Sequence, residues 1–193
     1  MVNCPCTRDD RVLPPPPRPV PTPPPDLRLR PATIDDVPTI LRCIRGLAEY
    51  ERLLHECNAT EALLRESLFG AAPAAEVTLA FAGDVAAGFS LWFRSYSTFL
   101  ATPGVYLEDL FVFPEFRGLG VGRKLLGSLA RTVIDRGYGR LEWAVLDWNS
   151  DAISFYESLG ARPMSEWTTY RLTGEALHVL SESATLGSMK RQR

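Results

Sequence analysis

Leu27-Arg28-Leu29-Arg30 alternates apolar and charged residues, the period of a strand, and Pro31 ends it. Thr33-Ile-Asp-Asp36 then reads as a helix start, with Thr33 as N-cap and acids in the first turn. Helical spacing follows through Val37, Ile40, Leu41, Ile44, Leu47 and Ala48. A second helix begins after Thr60, with Leu63, Leu64 and Leu68 on its apolar face and Gly70 closing it. Glu76–Ala82 is predicted as a strand, Ala82-Gly83-Asp84 as a tight turn, and Val85 to Trp92 or Phe93 as the returning strand of a hairpin. Ser95–Gly104 reads as a loop and Val105–Phe113 as a fourth strand ended by Pro114.

Leu119–Arg136 is predicted helical, with Val121, Leu125, Leu129 and Val133 on one face and Gly137 as its stop. Arg140–Leu146 is a nearly all-apolar run, as expected of a strand covered on both faces. Asn149-Ser150-Asp151 starts a short helix, Ala152–Leu159, closed by Gly160. Residues 161–172 predict one or two closing strands, a last short helix starts at Thr173-Gly174-Glu175, and the tail from about Ser181 reads as disordered. The sum is β-α-α-β-β-β-α-β-α-β, an α/β (α+β mixed) chain whose mixed sheet carries helices on both faces. The step from the fourth strand through a helix to the fifth is a βαβ unit, so those two strands should be parallel neighbours.

Residues 1–26 stand apart. They hold ten of the sixteen prolines and neither glycine nor serine. Such a tract samples polyproline II and builds no packed core, so a disordered leader is expected, then a domain over 27–180 and a flexible tail over 181–193. The leader lacks the apolar stretch of a secretory signal and the serines of a transit peptide.

Charge and cysteines narrow the chemistry. A net charge of −2 recruits neither nucleic acid nor an anionic membrane, and no apolar run nears the roughly 20 residues that span a bilayer. Cys4, Cys6, Cys43 and Cys57 lack zinc-site spacing, so no metal is expected and reduced thiols, as in the cytoplasm, are the default. With two histidines and no Gly-x-Ser-x-Gly, a Ser-His-Asp hydrolase is a poor fit.

The chemistry concentrates in 106–123. Glu108 and Asp109 interrupt an apolar strand, and Arg117-Gly-Leu-Gly-Val-Gly122 leads into a helix. Free amides, helix dipole and a cation together suit an anion such as phosphate. The glycines fit neither Gly-x-Gly-x-x-Gly nor a P-loop, so spacing alone leaves two readings: an anion site, or a turn that needs glycine. Acids beside an anion loop suggest an anionic cofactor meeting a cationic substrate.

Arg117-Gly-Leu-Gly-Val-Gly122 resembles the Arg/Gln-x-x-Gly-x-Gly/Ala signature of the GCN5-related N-acetyltransferases, and Asn149-x-x-x-Ile153-x-Phe155-Tyr156-x-x-x-Gly160 resembles their second block. Arg30-Pro-Ala-Thr33, Leu47-Ala-Glu-Tyr-Glu51, Tyr106-Leu-Glu-Asp109 and Asp147-Trp-Asn149 look like the spermidine/spermine (diamine) N-acetyltransferases. Gly139-Arg-Leu-Glu-Trp143 and Arg171-Leu-Thr-Gly174 look like the plant ornithine and diamine members. Those often carry a long insert between the second and third strands, where this chain has only Ala82-Gly83-Asp84.

The resemblance implies a GNAT fold, a homodimer, acetyl-CoA as co-substrate and a small cationic amine as acceptor. It implies splayed fourth and fifth strands with the pantetheine arm between them, held by the main chain of Leu110, Phe111 and Val112. The pyrophosphate would lie on Arg117, Gly118, Leu119, Gly120, Val121, Gly122 and Arg123, with Asn149, Asp151 and Ala152 on the other side of the cofactor. Glu108 would accept the amine's proton, directly or through water, and Tyr156 would return one to the departing thiolate. Tyr50, Glu51, Glu108, Asp109, Glu142, Trp143 and Ala144 would line the amine site, with Glu166 a further candidate.

In a regular strand Glu108 and Asp109 point to opposite faces, so both serve one pocket only across a β-bulge, which the family has in this strand. Otherwise Asp109 is a structural or interface acid and Glu108 a solvated strand-end acid. Acetylation of a protein lysine or N-terminus, and a non-catalytic coenzyme A-binding module recruited through the proline leader, are the competing functions.

Overall fold

The structure, a computed structural model, describes residues 26–189; the predicted leader, all but Asp26, and the last four tail residues fall outside it. The chain divides into two compact units, the first running to Asp147 and the second from Trp148.

The first unit is a five-stranded sheet in the order β1-β2-β3-β4-β5. Its strands are β1 (Leu27–Pro31), β2 (Glu76–Ala82), β3 (Val85–Ser97), β4 (Thr102–Val112) and β5 (Leu141–Trp143). The first four are antiparallel; β4 and β5 are parallel, as the βαβ step predicts. Between β1 and β2 lie α1 (Val37–Tyr50) and α2 (Glu61–Phe69); between β4 and β5 lies α3 (Val121–Asp135).

Both faces of the sheet are covered. Val37, Ile40, Leu41 and Cys43 of α1 and Leu64 and Leu68 of α2 pack on Val77, Leu79, Phe89 and Phe111. Val121 and Leu125 of α3 pack on Leu27, Ala80 and Ala87, with Leu110 and Val112 beside them. Cys43 is a core thiol, and burial pushes its pKa up to about 12. Leu63, expected on the apolar face of α2, is 55% exposed.

The local signals act as read. Thr33 donates its backbone N–H and hydroxyl to the Asp36 carboxylate (2.7 and 3.0 Å), and Arg30 grips the same carboxylate at 2.7 and 2.8 Å. That pairing holds the Asp36 carboxyl well below the usual carboxylate range. One 3₁₀ turn over Ile34–Asp36 precedes α1. Thr60 Oγ accepts from Leu63 N–H at 3.3 Å to cap α2.

Strand lengths depart from expectation. The predicted loop Ser95–Gly104 contracts to residues 98–101, because Ser95, Tyr96 and Ser97 pair with Gly104, Pro103 and Thr102. At the other end β5 stops at Trp143 rather than Leu146, since its ladder to β4 covers just Val105–Leu107. Past Leu107, β4 runs on without a β5 partner, and this is the splay.

At Gly88 on β3 the backbone of β4 leaves no room for a side chain. A Cβ there would lie 2.4 Å from the Phe111 carbonyl oxygen, which is backbone and cannot swing away. Gly88→Ala is expected to cost about 1–3 kcal/mol by overpacking, read as a lower urea midpoint with an unchanged slope.

The second unit holds α4 (Ser150–Glu157) and α5 (Gly174–Met189). Residues 161–172, predicted as closing strands, form none: their threonines and aromatics have β propensity, but no ladder partner takes up their backbone. Trp167 and Tyr170 are 72% and 92% exposed. The tail expected to be disordered from Ser181 continues α5 as far as Met189. Among the described residues no helix is long and apolar enough to cross a membrane.

Candidate active site

The glycine loop follows β4 after a 3₁₀ turn at Pro114–Phe116. Gly118 and Gly120 adopt φ of +75° and +79°, which side-chain-bearing residues rarely adopt. Gly120 is the N-cap of α3 and contributes no capping side chain. Lys124 N–H to Gly120 C=O at 3.0 Å closes the first turn, so the amides of residues 121–123 precede any intrahelical acceptor.

That turn carries no acid; it carries Arg123 and Lys124, whose charge opposes the helix dipole. A bound anion reverses that penalty. Lys124 is committed elsewhere, its Nζ donating to the Leu27 carbonyl. A Cβ added at Gly118 meets nothing within 4 Å, so the outer side of the loop is open. These features fit a pyrophosphate, which turns the two readings left by glycine spacing toward the anion site.

Arg117 heads the loop. Its Nε donates to the Val112 carbonyl at 3.0 Å, and its guanidinium lies 4.6 Å from the centre of the Tyr50 ring and 5.9 Å from that of Phe111. Leu110, Phe111 and Val112 pair with Ser90, Phe89 and Gly88 on one edge, while their other edge lies beyond the β5 ladder. An extended ligand with amide groups can add along such an edge.

The placement of Glu108 and Asp109 turns on one irregularity. Trp92 pairs with Leu107 and Leu91 with Asp109, so Glu108 is an extra residue between successive rungs, a β-bulge. Leu107 therefore falls on the side of Trp92, whose ring carries Arg136 from the end of α3 at 5.1 Å. Asp109 falls on the side of Leu91 and the α1/α2 core. Tyr106, opposite Phe93 with ring centres 5.2 Å apart, is on that side too, and alternation puts Glu108 with it. Both acids thus face the same way.

Electrostatics agree. Asp109 is half-buried and its pKa is pushed up to about 6, first by burial and then by the charges of Glu108 and Glu51. Glu51, just past the end of α1, is raised by burial. Tyr106 is raised by burial and by Glu108 and Glu142. Glu142 stands across from Tyr106 on β5 and pairs with Arg140 Nε at 2.6 Å. Four carboxylates and a phenol therefore share one face.

Tyr106 opens the stretch that carries the chemistry, but spacing gives it no role there; the phase of the bulge is what puts it beside the acids. Trp143 ends β5 opposite Leu107, and Ala144 is exposed just beyond. Among the described residues no group of acids, histidines and cysteines could hold a metal ion. A cleft of about 460 Å³ lined by Leu29, Phe69, Thr78, Trp92, Thr132 and Arg136 includes none of these candidates. Arg136 there is paired with Glu76 at 2.9 and 3.1 Å.

In the second unit, Asn149 Oδ1 accepts from Ala152 N–H at 3.3 Å and caps α4, whose first turn carries Asp151. Tyr156 is half-buried on α4, with its ring 5.4 Å from that of Phe155. Glu166 is exposed.

The model of the Acetyltransferase (GNAT) family matches residues 44–161. An L-ornithine N5-acetyltransferase of Arabidopsis thaliana is 35% identical, covering 80% of this chain and 88% of its own. That alignment runs over 200 residues while using 80% of a 193-residue chain, so the plant protein has residues this chain lacks. A thialysine N-epsilon-acetyltransferase of Bos taurus is 39% identical over 79% of this chain and 96% of its own. Among solved structures, an integron cassette protein from the mobile metagenome of V. cholerae superposes with a TM-score of 0.70 at 25% identity, covering 81% of this chain and 98% of its own. A family match over most of the chain and relatives at this identity and coverage agree with the glycine loop and the splayed strands: the chain belongs to the acetyltransferase (GNAT) family and is an N-acetyltransferase.

Proposed function

We propose that the protein moves the acetyl group of acetyl-CoA to a primary amine of a small diamine, polyamine or basic amino acid of the ornithine, thialysine or diaminopropane kind. The carrying observation is the bulge at Glu108, which turns two adjacent carboxylates toward Glu51 and Tyr106 on one face. A cationic chain matches that face, and relatives named for ornithine and thialysine acetylation support it. The domain spans 27–180 and works as a homodimer in the cytoplasm, a reading that rests on family resemblance and reduced cysteines.

The residues divide the work. Amides of 118–123 with Arg117 and Arg123 hold the pyrophosphate, and the main chain of Leu110–Val112 carries the pantetheine arm, where an amide polarises the thioester carbonyl. Asn149, Asp151 and Ala152 contact the cofactor from α4. Acetyl-CoA, when bound, supplies an activated thioester. Glu51, Asp109 and Glu142 attract the ammonium, with Tyr50, Tyr106, Trp143 and Ala144 along its chain. Glu108 takes one proton from the ammonium, directly or through water, which frees the lone pair that forms the N–C bond, and the nitrogen's second proton passes to solvent as the amide forms. Tyr156 gives its proton to the sulfur as the C–S bond breaks.

The test is thiol release from acetyl-CoA with ornithine, thialysine, diaminopropane, putrescine, spermidine, tyramine and a lysine peptide. Turnover is expected with the small aliphatic diamines or basic amino acids. Turnover of the peptide alone, or of none, would overturn the proposal.

A further inference from the structure

Arg117 belongs to the anion loop, yet its side chain runs the other way. The Nε–H donates to the Val112 carbonyl, and the guanidinium carbon sits over the ring of Tyr50, the last residue of α1, 4.6 Å from its centre. The next residue is Glu51, the acid whose charge reaches Asp109. The next again, Arg52, has φ +63°, a left-handed conformation that costs a side-chain-bearing residue about 1–2 kcal/mol. The turn is closed by Arg52 N–H to Glu49 C=O (3.1 Å) and Leu53 N–H to Ala48 C=O (2.8 Å). The two bonds satisfy the last carbonyls of α1, but a non-glycine residue in the left-handed position makes this cap weaker than glycine would, so a further contact at Tyr50 bears on whether the end, and Glu51 with it, stays in place.

We infer that Arg117 is a positioning residue for the amine pocket: by clamping Tyr50 against the end of β4 it holds Glu51 in register with Asp109, so the loop that binds the cofactor also sets the geometry of the acceptor site. This rests on the acceptor reading given above. It separates two roles of one side chain. An anion contact needs only positive charge, which lysine supplies. The clamp needs the Nε–H and the flat guanidinium, which lysine lacks.

Arg117→Lys is the discriminating variant, with Tyr50→Leu and the double variant to complete a cycle. The expected result is an amine KM raised about 5- to 10-fold in Arg117→Lys, the scale of a stacking contact, with a clearly smaller rise in acetyl-CoA KM because the loop keeps its amides and a positive charge. The double variant should be no worse than the poorer single, because both remove one contact. Tryptic cleavage after Arg52, followed by fragment mass, should quicken severalfold in Arg117→Lys as the helix end frays. An effect on acetyl-CoA KM alone, or additive effects in the double variant, would overturn the inference, as would an unchanged Arg52 cleavage rate. Cleavage needs no substrate, so faster cleavage in an enzyme that turns over no small amine would leave the clamp standing and remove the acceptor assignment instead.

Discussion

Tyr156→Phe should lower the acetyl-transfer rate by about 10²- to 10³-fold and leave acetyl-CoA binding almost untouched. The variant keeps the ring that packs 5.4 Å from Phe155 on α4 and removes one hydroxyl. What is lost is the proton for the sulfur. A thiolate is a tolerable leaving group, so the reaction survives at a reduced rate. Single-turnover measurements are the right readout, because slow product release masks a chemical step in kcat. A transfer rate equal to that of the unmodified enzyme would take Tyr156 out of the mechanism.

Asp109→Asn should push stability and activity in opposite directions. A carboxyl with an ordinary pKa near 3.9 when unfolded and about 6 when folded binds its proton more tightly in the native state. Between those values the native protein holds more protons than the unfolded chain, so stability falls as pH rises from about 4 to about 6. Above pH 6 the penalty is fully present. Asparagine removes it, and the variant should gain about 1–2 kcal/mol at pH 7 while gaining little near pH 4. Its kcat/KM for the amine should fall about 30- to 100-fold, the scale of losing one partner of a desolvated charge pair.

Urea unfolding at both pH values, set beside the kinetics, tests this. A variant less stable at pH 7, or one with undiminished kcat/KM, would contradict the assignment. The same carboxyl predicts an acid limb in kcat/KM near pH 6, and Glu51→Gln should move that limb to lower pH by removing one of the two charges that raise it.

Much of this architecture is written locally. Thr33, Thr60, Gly83, Gly120 and Asn149 act through caps and turns that reach no more than four residues, and each marks an element boundary within a residue or three of where sequence put it. What failed depends on distant partners. Ser95-Tyr96-Ser97 and Thr102-Pro103-Gly104 have loop composition and become strand because each supplies the other's ladder. Ala144–Leu146 and 161–172 have strand composition and do not, because a strand exists only where a second backbone meets it. The site was legible in kind, since glycines beside a cation and paired acids are chemical signatures. Its geometry was not. Nothing in Leu107-Glu-Asp109 says which rung is skipped, and neither the place of Tyr106 beside the acids nor the reach of Arg117 to Tyr50 follows from spacing.

Residue 108 also bears on how long this strand has to be. The rungs on either side of it are already successive on β3, so a β4 one residue shorter would close without a gap and leave every other side chain on the face it now occupies. The fold would be no poorer for the deletion, and its ladder would be more regular. Length variation at this point is therefore invisible to the architecture and decisive for the chemistry. A shortened chain would be the same sheet with one acid fewer on the face that Glu51, Asp109 and Glu142 share.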